Sequence, residues 1–123
     1  MARTVLPDTH IHPSIRSIVA NYQSPLVQAV QAAVAAHDVV VVGMAMNPFP
    51  KRARKLLDAA QQTYTYLEYG SYTSQWYQRS ALKMWTGWPT FPMVFVKGML
   101  IGGADDLKQL MASGELSKML ASA

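Results

Sequence analysis

A chain of 123 residues, half of them hydrophobic and 15% charged, is sized for one domain with its own core, and its composition excludes a disordered chain. Eleven Lys and Arg against seven Asp and Glu leave a net charge of +4, too mild a tilt to argue for nucleic-acid binding. There is no cysteine, which removes disulfides, thiolate nucleophiles, Cys-ligated zinc and protein-thiolate iron–sulfur ligation together.

Residues 1–13, broken by Pro7, Asp8, His10 and His12, read as an irregular arm without the apolar core of a signal peptide. Ile15, Ile18 and Val19 then fall at helical spacing, giving a short amphipathic helix over 14–22. Ser24-Pro25 is a helix start, a capping hydroxyl before a ring already set at the helical φ. Leu26, Val27, Val30, Ala33 and Val34 continue the apolar stripe until His37 and Asp38. The pattern divides the chain into an arm and short helix, 1–23, and a main domain, 24–123.

Val39-Val40-Val41-Val42 is β-branched without alternation, the pattern of a strand buried on both faces. The apolar run from Val39 to Met46 is far shorter than the ~20 residues a membrane span needs, so a cytoplasmic protein without a membrane partner is expected. Asn47 is a good N-cap and Pro48 a good first helical residue for the helix that follows to Gln62, with Pro50 still inside the first turn. Ala53, Leu56, Leu57 and Ala60 share one arc of it, while Lys51, Arg52, Arg54 and Lys55 cover the opposite, solvated arc. Thr63–Tyr69 alternates like a strand, and Thr73–Trp85 reads as a helix stopped by Gly87-Trp88-Pro89. Pro92–Val96 and Met99–Ile101 are short strands joined by Lys97-Gly98, a two-residue hairpin signal. Helices over 104–111 and 114–120 close the chain, the first with Asp105 and Asp106 where the helix dipole favours them. Alternating elements ending in a hairpin imply an α/β domain, a mixed four-stranded sheet with helices on both faces.

From Trp88-Pro89-Thr90-Phe91-Pro92 through Val94-Phe95-Val96, Lys97-Gly98 and Leu100-Ile101-Gly102-Gly103 to Ala104-Asp105-Asp106-Leu107, the chain resembles the C-terminal half of a glutaredoxin. The Trp-Pro-Thr opening, with Arg79 and Lys83 upstream, resembles the monothiol subfamily. The resemblance implies a thioredoxin-like fold and a cis-proline at Pro92, where position alone suggests only a proline opening an edge strand. It also implies a glutathione or thiol-peptide groove formed by Thr90, Phe91 and Pro92 with Gly103, Ala104 and Asp105. Arg79 is the carboxylate partner implied at the glycyl end. The family's lysine before the active cysteine falls at Met44, leaving Lys51 or Arg52 as its substitute.

The departure is equally specific. Where glutaredoxins carry Cys-Pro-Tyr-Cys or Cys-Gly-Phe-Ser, this chain carries Asn47-Pro48-Phe49-Pro50. An amide caps a helix as well as a thiolate does, but it does not attack a disulfide or hold a cluster. A redox-inactive binding module is therefore expected, with no catalytic residue, metal or iron–sulfur cluster, and with glutathione or a peptide as its ligand. Two alternatives stay open: a scaffold for another protein or for a second copy, using the 14–36 helices and the aromatic surface, and a glutathione-transferase-like enzyme in which Asn47 polarises the thiol. Met44, Met46, Met84, Met93 and Met99 suit either a peptide-binding surface or core filling.

Overall fold

The structure, a computed structural model, describes residues 3–121. After a short turn at Asp8–His10 come the helices α1 (Pro13–Ala20) and α2 (Ser24–Ala36), then strand β1 (Val39–Gly43) and helix α3 (Pro48–Ala59). Strand β2 (Thr65–Glu68), helix α4 (Trp76–Thr86), strands β3 (Met93–Val96) and β4 (Met99–Gly102), and helices α5 (Ala104–Ala112) and α6 (Glu115–Ala121) follow. The sheet runs β2-β1-β3-β4, with β1 parallel to β2 and antiparallel to β3, and β3 antiparallel to β4.

The unalternating valines of β1 have the expected cause. Val39 and Val41, with Val94 and Val96 of β3, pack against Ala53, Leu57, Leu107 and Leu116 of α3, α5 and α6. Val40 and Val42, with Met93 and Phe95, pack on the other face against Val30 of α2 and Leu82 of α4. Each strand residue is buried whichever way it points, so period-2 alternation has no reason to appear. Lys97 and Gly98 both adopt positive φ (51° and 82°), the two-residue turn that matches the right-handed twist of its strands.

Several boundaries move, each for a local reason. Ser24 is the first residue of α2 rather than its cap: its N–H donates to the Asn21 carbonyl, and its hydroxyl accepts from Gln28. At the start of α1 the cap is His12, whose Nδ1 accepts the Ser14 N–H at 3.1 Å. Helix α4 starts at Trp76 because Ser71–Ser74 closes its own turn, with the Ser74 hydroxyl accepting the Ser71 N–H at 3.1 Å. Among the described residues no helix is long and apolar enough to cross a membrane.

Candidate functional site

Strand β1 delivers the chain to Asn47, whose Oδ1 accepts the Phe49 N–H at 3.0 Å and caps α3. Pro48 and Pro50 have no N–H to offer, so the first turn of α3 keeps no free backbone donor ahead of Lys51. Asn47 is half-buried, Pro48 and Phe49 are exposed, and Pro50 is buried against the sheet.

The Phe91–Pro92 peptide bond is cis, as the resemblance implies. Thr90 is exposed, whereas Phe91 and Pro92 are buried. A side chain built at Gly103 would stand 3.5 Å from the Pro92 carbonyl and 3.8 Å from the Trp88 indole nitrogen. Of the two segments named from the sequence, the structure brings Pro92 and Gly103 next to each other. The Asp106 carboxylate accepts the Gly103 N–H at 2.9 Å and fixes the start of α5. The Trp88 indole N–H is buried here without a hydrogen-bond partner.

The charged residues are arranged less simply than the sequence suggests. Arg52 reaches across from α3 and binds the Asp105 carboxylate at 2.6 Å, so Asp105 already has a cationic partner. Arg52 also lies over the Phe49 ring, 5.3 Å from its centroid. Arg79 is buried, and its Nη1 donates to the Tyr69 and Ser74 carbonyls, bracing the loop into α4. That bracing role was not legible in the sequence, where Arg79 figured only as a ligand partner. Lys83 lies over Phe91, with its ammonium 5.8 Å from the ring centroid. Lys51 turns away from Asp105 onto the opposite flank of α3. Met44 and Met93 are core, while Met46, Met84 and Met99 are exposed.

On that opposite flank a cavity of about 590 Å³ opens between α3, the 44–47 turn and β2. Sequence reasoning passed over it, because Arg54, Lys55, Tyr66 and Glu68 come from two elements whose spacing says nothing of their meeting. The Tyr66 hydroxyl donates to the Glu68 carboxylate at 3.0 Å, and the phenol is pushed up to about 12, first by burial and then by that carboxylate. Burial raises Tyr69 as well. Hydrogen bonding to the Tyr64 phenol is the largest influence on Arg54 and holds it still more firmly in its charged form. Among the described residues, Asp8, His10 and His12 included, no group of three or more His, Asp or Glu side chains is placed to hold a metal ion.

The family profile described as Glutaredoxin matches residues 39–101. A glutaredoxin-like protein of Dictyostelium discoideum is 45% identical over 103 residues, covering 84% of each chain. The chain belongs to the glutaredoxin family.

A probable monothiol glutaredoxin 2 of Rickettsia prowazekii is 50% identical over 42 residues, 34% of this chain and 39% of that one. Among solved structures, a buckwheat glutaredoxin–glutathione complex superposes with a TM-score of 0.70 at 28% identity, covering 81% of this chain and 91% of that one. The described fold is thus a glutaredoxin's thioredoxin-like α/β fold. None of the 123 residues is a cysteine.

Proposed function

We propose that this member of the glutaredoxin family is a redox-inactive binding module that holds glutathione, or a related thiol peptide, without covalent chemistry. The observation that carries the reading is Asn47. Its Oδ1 is spent on the Phe49 N–H, which leaves the amide NH₂ to donate to a ligand's sulfur or carbonyl. A carboxamide forms no mixed disulfide, so exchange chemistry has no starting point in these residues.

The close approach of Gly103 to the Pro92 carbonyl supports a ligand groove between Thr90-Phe91-Pro92 and Gly103-Ala104-Asp105, as does the likeness to a glutaredoxin whose structure is a glutathione complex. The ligand's ammonium shares Asp105 with Arg52, and its far carboxylate meets the guanidinium donors of Arg79 left over from the two carbonyls. Calorimetric titration with glutathione tests this directly. Saturable binding is expected, and no heat at millimolar ligand refutes the reading. In parallel, Asn47→Cys removes the amide cap and places a thiol at the helix start, where its pKa falls. Oxidoreductase activity gained by that variant means that only the nucleophile is missing, and no gain means that the groove has been remodelled.

A second reading, a scaffold for a partner protein or a second copy, draws support from Ile18, Trp76 and Tyr77, each more than half exposed. Sedimentation showing only monomer, with no partner recovered on affinity capture, counts against it.

A further inference from the structure

Four basic residues occupy the first two turns of α3, and the fold sorts them. Arg52 faces α5 and binds Asp105. Lys51, Arg54 and Lys55 face the other way and line the cavity beside β2. Spacings of three and four residues put them on one helix face, so their charges meet at one opening.

The floor of the cavity is built to hold Arg54 there. A side chain at Gly43 would stand 2.9 Å from the Tyr66 hydroxyl oxygen and 2.7 Å from Pro50. The bare strand therefore lets the Tyr66 ring lie against β1. Arg54 stacks on that ring, 4.2 Å from its centroid, with its Nε buried and without a hydrogen-bond partner. Stacking positions a guanidinium but does not neutralise it.

The local acids answer only part of that charge. Glu68 lines the same cavity and accepts from Tyr66 with one oxygen, so with Asp58 two carboxylates face three cations and one positive charge is left in excess. Among the described residues neither Lys51 nor Lys55 makes an ion pair, and Asp58, which lines the same cavity one turn along α3 from Arg54 and Lys55, makes none either. Like charges one turn apart repel, and a bound anion relieves that repulsion. The helix backbone contributes nothing, because Pro48 and Pro50 have no N–H and Asn47 takes that of Phe49. From α3, an anion here is held by side chains rather than by the helix's first amides.

We infer that this cavity is a second ligand site, which binds a small multivalent oxyanion, phosphoryl or carboxyl, through Lys51, Arg54 and Lys55. Its volume suits a small molecule rather than a macromolecular surface.

The test is calorimetry on the full chain at low salt, where charge is least screened, with inorganic pyrophosphate and citrate as separate titrants. One saturable site is expected for at least one of them, and which one binds identifies phosphoryl or carboxylate as the natural chemistry. Lys55→Gln weakens binding by about tenfold, as loss of a charge-assisted contact should, and Asp58→Asn tightens it. Lys108→Gln removes the same charge from α5 and leaves the affinity unchanged. Circular dichroism confirms that each variant is folded. No saturation by either titrant overturns the inference, and so does equal weakening by Lys108→Gln, which makes the binding mere net charge. Displacement of the anion by glutathione overturns it too, since the cavity is then one end of the groove.

Discussion

Tyr66 carries the furthest-shifted phenol of the chain, and the shift has a definite sign. Burial and the neighbouring Glu68 carboxylate disfavour the phenolate and push the group up to about 12 from an ordinary 10.0, against a smaller opposing pull from Arg54. The folded protein therefore holds the phenolic proton more tightly than the unfolded chain does. The stability this contributes is fully present below pH 10 and is lost as pH rises through about 12. An alkaline absorbance titration of the natural chain minus that of Tyr66→Phe is expected to show a midpoint about 12, and Glu68→Gln should move it down. A difference midpoint at the ordinary 10.0 would mean that Tyr66 is solvated and the floor of the cavity is not formed. None of this is visible in the sequence, where Tyr66 is one alternating position of a strand. Its environment is made by Gly43, Arg54 and Glu68, which three different constraints bring to it.

Helix α3 shows where local sequence is enough and where it stops. Its start is written in adjacent residues: an amide that caps, then a proline needing no N–H, and the structure keeps both. Asn47→Ala is expected to cost about 1 kcal/mol in urea unfolding, whereas Asn47→Asp should hold stability, since a carboxylate both caps and answers the helix dipole. Equal loss in the two variants would mean that the cap hydrogen bond contributes nothing. The same helix divides its basic face between Asp105 and the cavity, and that division depends on which neighbours lie to each side. The ends of α2 and α4 behave alike: propensity locates the helix, while the serine hydroxyls at 24 and 74 are drawn to partners that periodicity does not name. The cis-proline and the Gly103 contact were legible for a different reason, as parts of a long ordered motif that the glutaredoxin family shares.

At the scale of the whole molecule, the arm and α1 stand apart from the two-sided core. Neither α1 nor the turn at Asp8–His10 contains a buried residue, and Val5 and Leu6 are each 61% exposed. Below α1 a cleft of about 390 Å³ separates Val19 and Tyr22 from Trp85, so the helix covers α2 and α4 without filling the space. The arm is tied back by Arg3, which donates to the Thr86 carbonyl at 3.0 Å beside Gly87, where any side chain would collide with it. Helix α2, by contrast, sends Val30 into the core against β1. A chain reduced to residues 24–123 is therefore expected to unfold cooperatively, with Tm lowered by no more than about 5 °C, the equivalent of about 1 kcal/mol at this size. Large apolar side chains that stay exposed lose little when their element is removed, and one exposed hydrogen bond is worth about 1 kcal/mol. If the proposed groove holds glutathione, its affinity should be unchanged in the shortened chain, since that groove would draw on α3, α4, the 88–92 segment and α5. Loss of the cooperative transition would show instead that α1 is part of the fold, and that the exposed Ile18 face is a surface the domain needs covered.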